Sequence, residues 1–256
     1  MKNILEINNL YKSFGGLSAV ANANLCLQTS ELVGLIGPNG AGKTTVFNLI
    51  TGVYKPDQGA ILFDGADISG MLPYAICREG IARTFQNIRL FPGLTVLDNV
   101  KVALHKAVTY NLVKAILRTN SFFQGEQEIE AKALECLRIF NLDQKKDEIA
   151  SNLPYGEQRR LEIARALATR PKLLILDEPA AGMNPQETKE LMDLIRQIHQ
   201  DSELTILLIE HDMSLVMGLC ERIYVLDYGR IIAEGVPEEI RNNPQVIEAY
   251  LGEEVG

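Results

Sequence analysis

The stretch Leu32-Val33-Gly34-Leu35-Ile36-Gly37-Pro38-Asn39-Gly40-Ala41-Gly42-Lys43-Thr44-Thr45 decides how the rest of the chain is read. Its first five residues form an uncharged apolar run, the length of one buried strand. Gly37 to Thr44 then meets the pattern G-x-x-x-x-G-K-[ST] at each fixed position. Val46, Leu49, Ile50 and Val53 follow at i, i+3, i+4 and i+7, so a helix starts where the loop ends. Strand, glycine loop and helix in that order make a phosphate site. The glycines let backbone N–H groups turn inward around an anion, and the helix start adds its positive end. In such a loop Lys43 reaches the β- and γ-phosphates and the Thr44 hydroxyl ligates Mg²⁺. The expected ligand is a nucleoside triphosphate.

Upstream, Ile4, Leu5 and Ile7 open a strand that runs to a turn at Phe14-Gly15-Gly16. Phe14 reads plainly as a half-buried core aromatic; its ring also suits stacking on a nucleotide base of any kind. Leu25 to Gln28 is a candidate second strand, and Lys55 to Gly59 a turn before a strand at Ala60 to Phe63. The opening third is thus expected to be an antiparallel layer set against the phosphate-binding unit. Ile81 to Phe85 reads as a buried strand ending at Gln86, a polar residue where α/β sheets place ligand contacts.

From Asp98 to about Leu142 the periodicity becomes helical. Ala103, Leu104, Ala107 and Val108 share one face, and Ala133, Leu134, Leu137 and Phe140 another. Thr119 to Gly125 reads as a connection between them. Val108 to Leu117 is apolar enough for a membrane-surface helix, but Lys114 and the acidity of the chain favour packing inside a helical lobe.

Two later stretches carry chemistry. Leu173-Leu174-Ile175-Leu176 is a buried strand ending in Asp177-Glu178, and acids at such a place are costly unless they hold a cation or handle a proton. Asp177 suits the Mg²⁺ side and Glu178 the attacking water. Leu153-Pro154-Tyr155-Gly156-Glu157-Gln158 opens a second glycine-containing helix. Asn184-Pro185 starts another helix, Leu204 to Ile209 is one more strand ending at Glu210-His211, and Ile223 to Leu226 with Ile231 to Ala233 reads as a hairpin. The tail from Gly235 is expected to hold one short helix.

A chain of 256 residues, 46% hydrophobic, buries a sizeable core. Its net charge of −8 argues against nucleic acid as a partner. The four cysteines are scattered without a C-x-x-C pair, as expected of free thiols in a reducing cytosol. The opening residues lack the apolar core of a signal peptide, and no run approaches the ~20 residues of a spanning helix. A cytoplasmic protein is expected, with any membrane role through a partner.

Together these stretches resemble the ATP-binding subunit of an ABC transporter, over nearly the whole chain. Gly37 to Thr44 is similar to its Walker A motif and Leu173 to Asp177, followed by Glu178, to Walker B. Gln86 matches the Q-loop glutamine, Leu153 to Gln158 the signature, Ala181 to Asn184 the D-loop and His211 the switch histidine. The resemblance implies a phosphate-loop NTPase (RecA-like) core with an antiparallel β layer and an inserted α-helical lobe. It implies one ABC ATPase domain over residues 1–256, with about 1–88 and 166–256 as catalytic core and about 89–165 as the helical lobe. Its implied cofactors are ATP and Mg²⁺. Phe14, Gly37, Pro38, Asn39, Gly40, Ala41, Gly42, Lys43, Thr44, Thr45 and Gln86 would contact the nucleotide, as would Tyr155, Gly156, Glu157 and Gln158. Thr44, Gln86 and Asp177 would hold the metal; Glu178, His211 and Lys43 would be catalytic.

Two departures stand out. Pro154 replaces the usual signature serine, which implies weaker contacts to ATP across a dimer, and Asn184 replaces the D-loop aspartate. RTFQNIRLFPGLTVLDNV (83–100), YGEQRRLEIARALAT (155–169) and DEPAAGMNP (177–185) resemble one ATPase subunit of the branched-chain amino acid (Leu/Ile/Val) importers. The implied partners are a second ATPase subunit and integral membrane permease subunits, at the cytoplasmic face of the membrane. No direct contact with the transported solute is implied. A lipid or lipopolysaccharide exporter ATPase and a soluble non-transport ABC ATPase are the alternatives. A small GTPase is disfavoured by the lack of an N-K-x-D motif.

Overall fold

Asn3–Phe14 (β1) and Leu17–Gln28 (β2) pair antiparallel across the Gly15-Gly16 turn in a computed structural model that describes residues 2–104 and 120–251. The second strand starts well before Leu25, because Ser18 to Ala23 pair with β1 although all but Val20 are small, weakly strand-forming residues. Leu32–Ile36 (β3) runs into Lys43–Ile50 (α1), as the sequence predicts. Gln58–Phe63 (β4) pairs with β1, and Ala66–Asp67 (β5) with β4, giving an antiparallel sheet of order β2-β1-β4-β5.

After Pro73–Glu79 (α2), the strand at Ile81–Arg83 (β6) is shorter than the sequence reading, which carried it to Phe85. The backbone leaves the ladder there because the carbonyls of Phe85 and Gln86 accept hydrogen bonds from Arg159 instead. Val96–Leu104 (α3) and Asn120–Ile139 (α4) follow. Residues 120–125, read as a connection, are the first turns of α4: an interior glycine costs about 1 kcal/mol, which the burial of Ile129, Ala133 and Leu137 along the same helix offsets. The stretch Val108 to Leu117, including Val108 of the first apolar face, lies outside the described residues, as does Ala107.

Tyr155–Ala168 (α5), Leu173–Asp177 (β7), Pro185–Ser202 (α6), Thr205–Ile209 (β8), Met213–Leu219 (α7), Arg222–Asp227 (β9) and Arg230–Gly235 (β10) complete the alternation. The second sheet has the order β10-β9-β3-β8-β7-β6, parallel except for the β9–β10 hairpin. Every residue of β3, β7 and β8 is buried, which explains their unbroken aliphatic runs. The tail forms two helices, Pro237–Arg241 (α8) and Pro244–Leu251 (α9), where one was expected. Pro244 cannot continue the first helix but suits the first position of the next, and Asn243 caps that start by accepting from the Gln245 N–H at 2.9 Å.

By contacts the chain forms two units. One holds Met1–Arg83, Lys172–Pro179 and Met192–Gly256, with both sheets; the other holds Thr84–Pro171 and Ala180–Leu191. The sequence reading put boundaries near 88 and 166 and left 180–191 with the core. The core of the first unit joins Leu5, Ile7 and Leu27 of the antiparallel sheet to Leu35, Val46 and Ile50 of the strand–loop–helix.

None of the four cysteines is in a disulfide: Cys26 and Cys77 are half-buried, Cys136 and Cys220 buried. Burial pushes the Cys136 thiol up to about 12 and raises Cys220 as well. Iodoacetamide at about pH 8 is therefore expected to spare Cys136 and Cys220 in the native chain and modify them after unfolding. Native labelling of Cys136 by mass spectrometry would contradict this packing.

Candidate nucleotide site

β3 lies between β8 and β9 with parallel register, Leu35 opposite Ile209 and Ile36 opposite Val225. Asp177 of β7 is level with the same Ile209. Three chain segments therefore leave the sheet at one edge: the glycine loop, Asp177-Glu178 and Glu210-His211. That is the carboxyl edge of the parallel strands, where open α/β sheets bind ligands.

The loop keeps its shape by close backbone approach. A Cβ at Gly37 (φ +152°) would lie 2.0 Å from the Leu226 carbonyl oxygen, and one at Gly42 (φ +106°) 2.4 Å from that of Ala19. Gly42 caps α1 without a side-chain acceptor, and the first turn carries no acid. The positive end of α1 is left for an external anion. Pro38 and Ala41 are buried, Asn39, Gly40 and Thr44 exposed, and Thr45 half-buried. Lys43 is buried, and its Nζ donates to the carbonyls of Gly37 at 2.5 Å and Pro38 at 2.8 Å. The ammonium thus lies across the loop's own oxygens, within reach of whatever the loop binds.

Asp177 is buried at the end of β7. Glu178 has φ +43°, a left-handed conformation that costs a non-glycine residue about 1 kcal/mol or more. Its N–H donates to the Ile209 carbonyl at 2.9 Å, which holds the turn against β8. The Glu178 Oε1 is 3.6 Å from Nδ1 of His211, which also lies 3.9 Å from the buried Glu210 carboxylate. His211 is therefore placed where acids surround it on two sides. Next to it, Asp212 caps α7; the Ser214 hydroxyl and the helix-start N–H groups hold its carboxyl below the usual range.

Phe14 is 43% exposed at the end of β1, not a core aromatic. The sequence reading missed its neighbour Tyr54, whose ring meets it edge-on at 5.0 Å. Lys12 lies 5.5 Å from the Phe14 ring and is held by Asp57 at 2.7 Å. No periodicity marks Tyr54, which follows α1 in a turn.

The remaining predicted residues belong to the second unit. Gln86 is exposed in the bend after β6. Tyr155 is exposed at the start of α5, and Gly156 is buried where a Cβ would meet the Glu187 carboxylate at 3.0 Å. The Glu157 carboxylate receives Lys145 Nζ at 2.6 and 2.8 Å, and Gln158 donates to the Leu153 carbonyl at 2.8 Å. These two side chains thus support their own lobe. Pro154 caps α5 with no side-chain bond. Asn184 and Glu187 form a reciprocal capping box at the start of α6, each side chain accepting from the other's N–H at 3.0 Å. An amide oxygen accepts there as well as a carboxylate, which accounts physically for asparagine at this position. Sequence reasoning also missed Arg159 and Glu162, a buried ion pair on α5. Their i, i+3 spacing on an otherwise apolar face was the available signal.

A parallel sheet with this glycine loop defines a phosphate-loop NTPase. The ABC transporter family profile matches residues 20–181, and a profile described as branched-chain amino acid ATP-binding cassette transporter matches residues 230–256. The chain belongs to the ABC transporter family and is an ABC ATPase. It is 52% identical over 250 residues to the high-affinity branched-chain amino acid transport ATP-binding protein LivG of Escherichia coli (strain K12), covering 98% of each chain. The lipopolysaccharide export system ATP-binding protein LptB of Haemophilus influenzae is 37% identical, again covering 98% of each. Among solved structures, the ADP conformation of MJ1267, an ATP-binding cassette of an ABC transporter, superposes with TM-score 0.84 at 30% identity, covering 98% of this chain and 100% of that one.

The capping box at Asn184 gives a direct test. Asn184→Ala should lower stability by about 1 kcal/mol in urea denaturation, while Asn184→Asp should hold it. An unchanged midpoint for Asn184→Ala would show that the box contributes nothing.

Proposed function

We propose that this chain is the ATP-hydrolysing subunit of an importer of branched-chain amino acids, working as a dimer beneath permease subunits at the cytoplasmic face of a membrane. The observation that carries the chemistry is the convergence of the Gly37–Thr44 loop, Asp177-Glu178 and His211 on one sheet edge. For the solute, the support is the likeness to LivG, greater than that to LptB, and the matched C-terminal segment.

In this reading the loop amides and the positive end of α1 receive the β- and γ-phosphates, and Phe14 carries the base. Lys43 leaves the Gly37 and Pro38 carbonyls for the phosphates. The donors proposed for Mg²⁺ are hard oxygens, the exposed Thr44 hydroxyl and the Asp177 carboxylate, joined by Gln86 from the second unit. Bound Mg²⁺ would neutralise charge developing on the phosphate oxygens. Glu178 accepts the proton of the water that attacks the γ-phosphorus, and His211 orients that carboxylate. The strained turn at Glu178 supports this role, since backbone strain concentrates where a side chain must be aimed.

The start of α5, with Tyr155 and Gly156, sits in a different unit from the glycine loop. Each presents a helix start, and we assign both to ATP by pairing two subunits head to tail. Pro154 brings neither a hydroxyl nor an N–H to that contact, so the trans contact rests on the Gly156 backbone. Closure then follows the γ-phosphate, which ADP lacks. No helix among the described residues is long and apolar enough to cross a membrane.

The test is Glu178→Gln, alone and in the reconstituted transporter. Hydrolysis should fall by about 100-fold or more, with ATP now holding a stable dimer in sedimentation, and with labelled leucine uptake lost. Normal turnover in this variant would remove Glu178 as the base. Wild-type complexes that move lipopolysaccharide but not leucine would replace the importer by an exporter.

A further inference from the structure

Arg159 and Glu162 stand one turn apart on α5, 0% and 1% exposed. The Arg159 Nη1 donates to the Phe85 carbonyl at 2.5 Å and to Glu162 Oε2 at 2.8 Å. Its Nη2 donates to the Gln86 carbonyl at 2.6 Å and approaches the Tyr155 hydroxyl at 3.4 Å. The other oxygen of Glu162 accepts from the Arg89 N–H at 3.0 Å. Three backbone groups of the segment around Gln86 therefore end on one ion pair of the helix that begins at Tyr155. All of these residues lie within the second unit.

Stability alone does not account for such a pair. Two buried charges cost their hydration, and a well-packed apolar pair of similar volume is commonly as stable. Arg159 Nε, moreover, is buried without a partner. What the pair does provide is geometry. A guanidinium is a rigid fork, and its two arms fix the carbonyls of consecutive residues at one place and angle. The segment needs this, since β6 ends at Arg83 and offers no ladder beyond it. Further along, the fully buried Asn99 of α3 accepts from the Phe91 N–H at 2.9 Å and donates back to the Phe91 carbonyl at 3.1 Å. Gln86 is thus exposed on a short span whose ends are both pinned to helices by buried polar side chains.

We propose that Arg159 and Glu162 are positioning residues for Gln86: the pair clamps its backbone to α5, so that Gln86 and the Tyr155–Gly156 helix start move as one body. This rests on the reading that Gln86 acts at the nucleotide. Neither clamp residue touches ATP itself; both act by fixing where the glutamine side chain starts. A clamp of this kind makes the contribution of Gln86 to turnover depend on residues of the signature helix. A merely structural pair would leave the two independent.

The experiment is a double-mutant cycle on the full chain, read as melting temperature, fluorescent-ATP affinity and kcat. The clamp is replaced by Arg159→Met with Glu162→Leu, similar in volume and uncharged, in the presence and absence of Gln86→Ala. The clamp variant is expected to melt below the wild type, because the Phe85 and Gln86 carbonyls and the Arg89 N–H lose their partners, but to bind ATP within about twofold and turn over roughly tenfold more slowly. Gln86→Ala should cost roughly tenfold in the wild-type chain but less than about twofold once the clamp is gone. Arg159→Lys keeps the charge but loses the fork, and should show the same non-additivity in smaller measure; it replaces the apolar pair if that variant does not fold. An unchanged kcat, or a full Gln86→Ala cost in both backgrounds, would overturn the clamp while leaving the role of Gln86 standing. If Gln86→Ala leaves wild-type turnover unchanged, the reading of Gln86 itself fails and the clamp falls with it.

Discussion

Everything in this molecule turns on a loop that has no room to be anything else. Gly37 and Gly42 sit so near the carbonyls of Leu226 and Ala19 that no side chain fits at either place. The loop leads into an eight-residue helix with no side-chain cap and no acid in its first turn. A helix start without a side-chain cap or an acid in its first turn suits an anion, and a chain of phosphates can use several amides at once. At the ends of the neighbouring strands stand the buried Asp177 carboxylate, the half-buried Glu178 and an imidazole 3.6 Å from the latter.

The two units divide the labour. Sheets, loop and acids belong to one; the segment of Gln86 and the start of α5 belong to the other. The first has an extensive aliphatic core spanning both sheets. The second relies on buried polar ties to hold irregular backbone: Arg159 and Glu162 around Phe85 to Arg89, and Asn99 around Phe91. Such ties specify a single arrangement of a loop, and are costly only when left half made.

Much of this was legible in the sequence for a physical reason. Strands buried on both faces write continuous aliphatic runs, so β3, β7 and β8 were read directly, along with the motif glycines and acids at their ends. β2 was read only in part because its first half is mostly alanine, serine and asparagine around Val20, which pair in a ladder without advertising it. Residues 120–125 looked like a connection because local composition hides what a distant helix face packs. Tyr54 was missed since an aromatic in a turn has no period, and Arg159 with Glu162 since charged residues on a helix suggest solvent unless tertiary burial overrides them. Asn184 looked like a loss of charge until its hydrogen bonds with Glu187 showed the capping it performs.

The most direct measurement is a crystal structure of the chain grown with Mg²⁺ and a non-hydrolysable ATP analogue. The account predicts β- and γ-phosphates against the amides of residues 37–44, the ion bound by Thr44 and Asp177, and Lys43 turned from the Gly37 and Pro38 carbonyls onto the phosphates. Nucleotide bound elsewhere, with Lys43 still seated on those carbonyls, would contradict it.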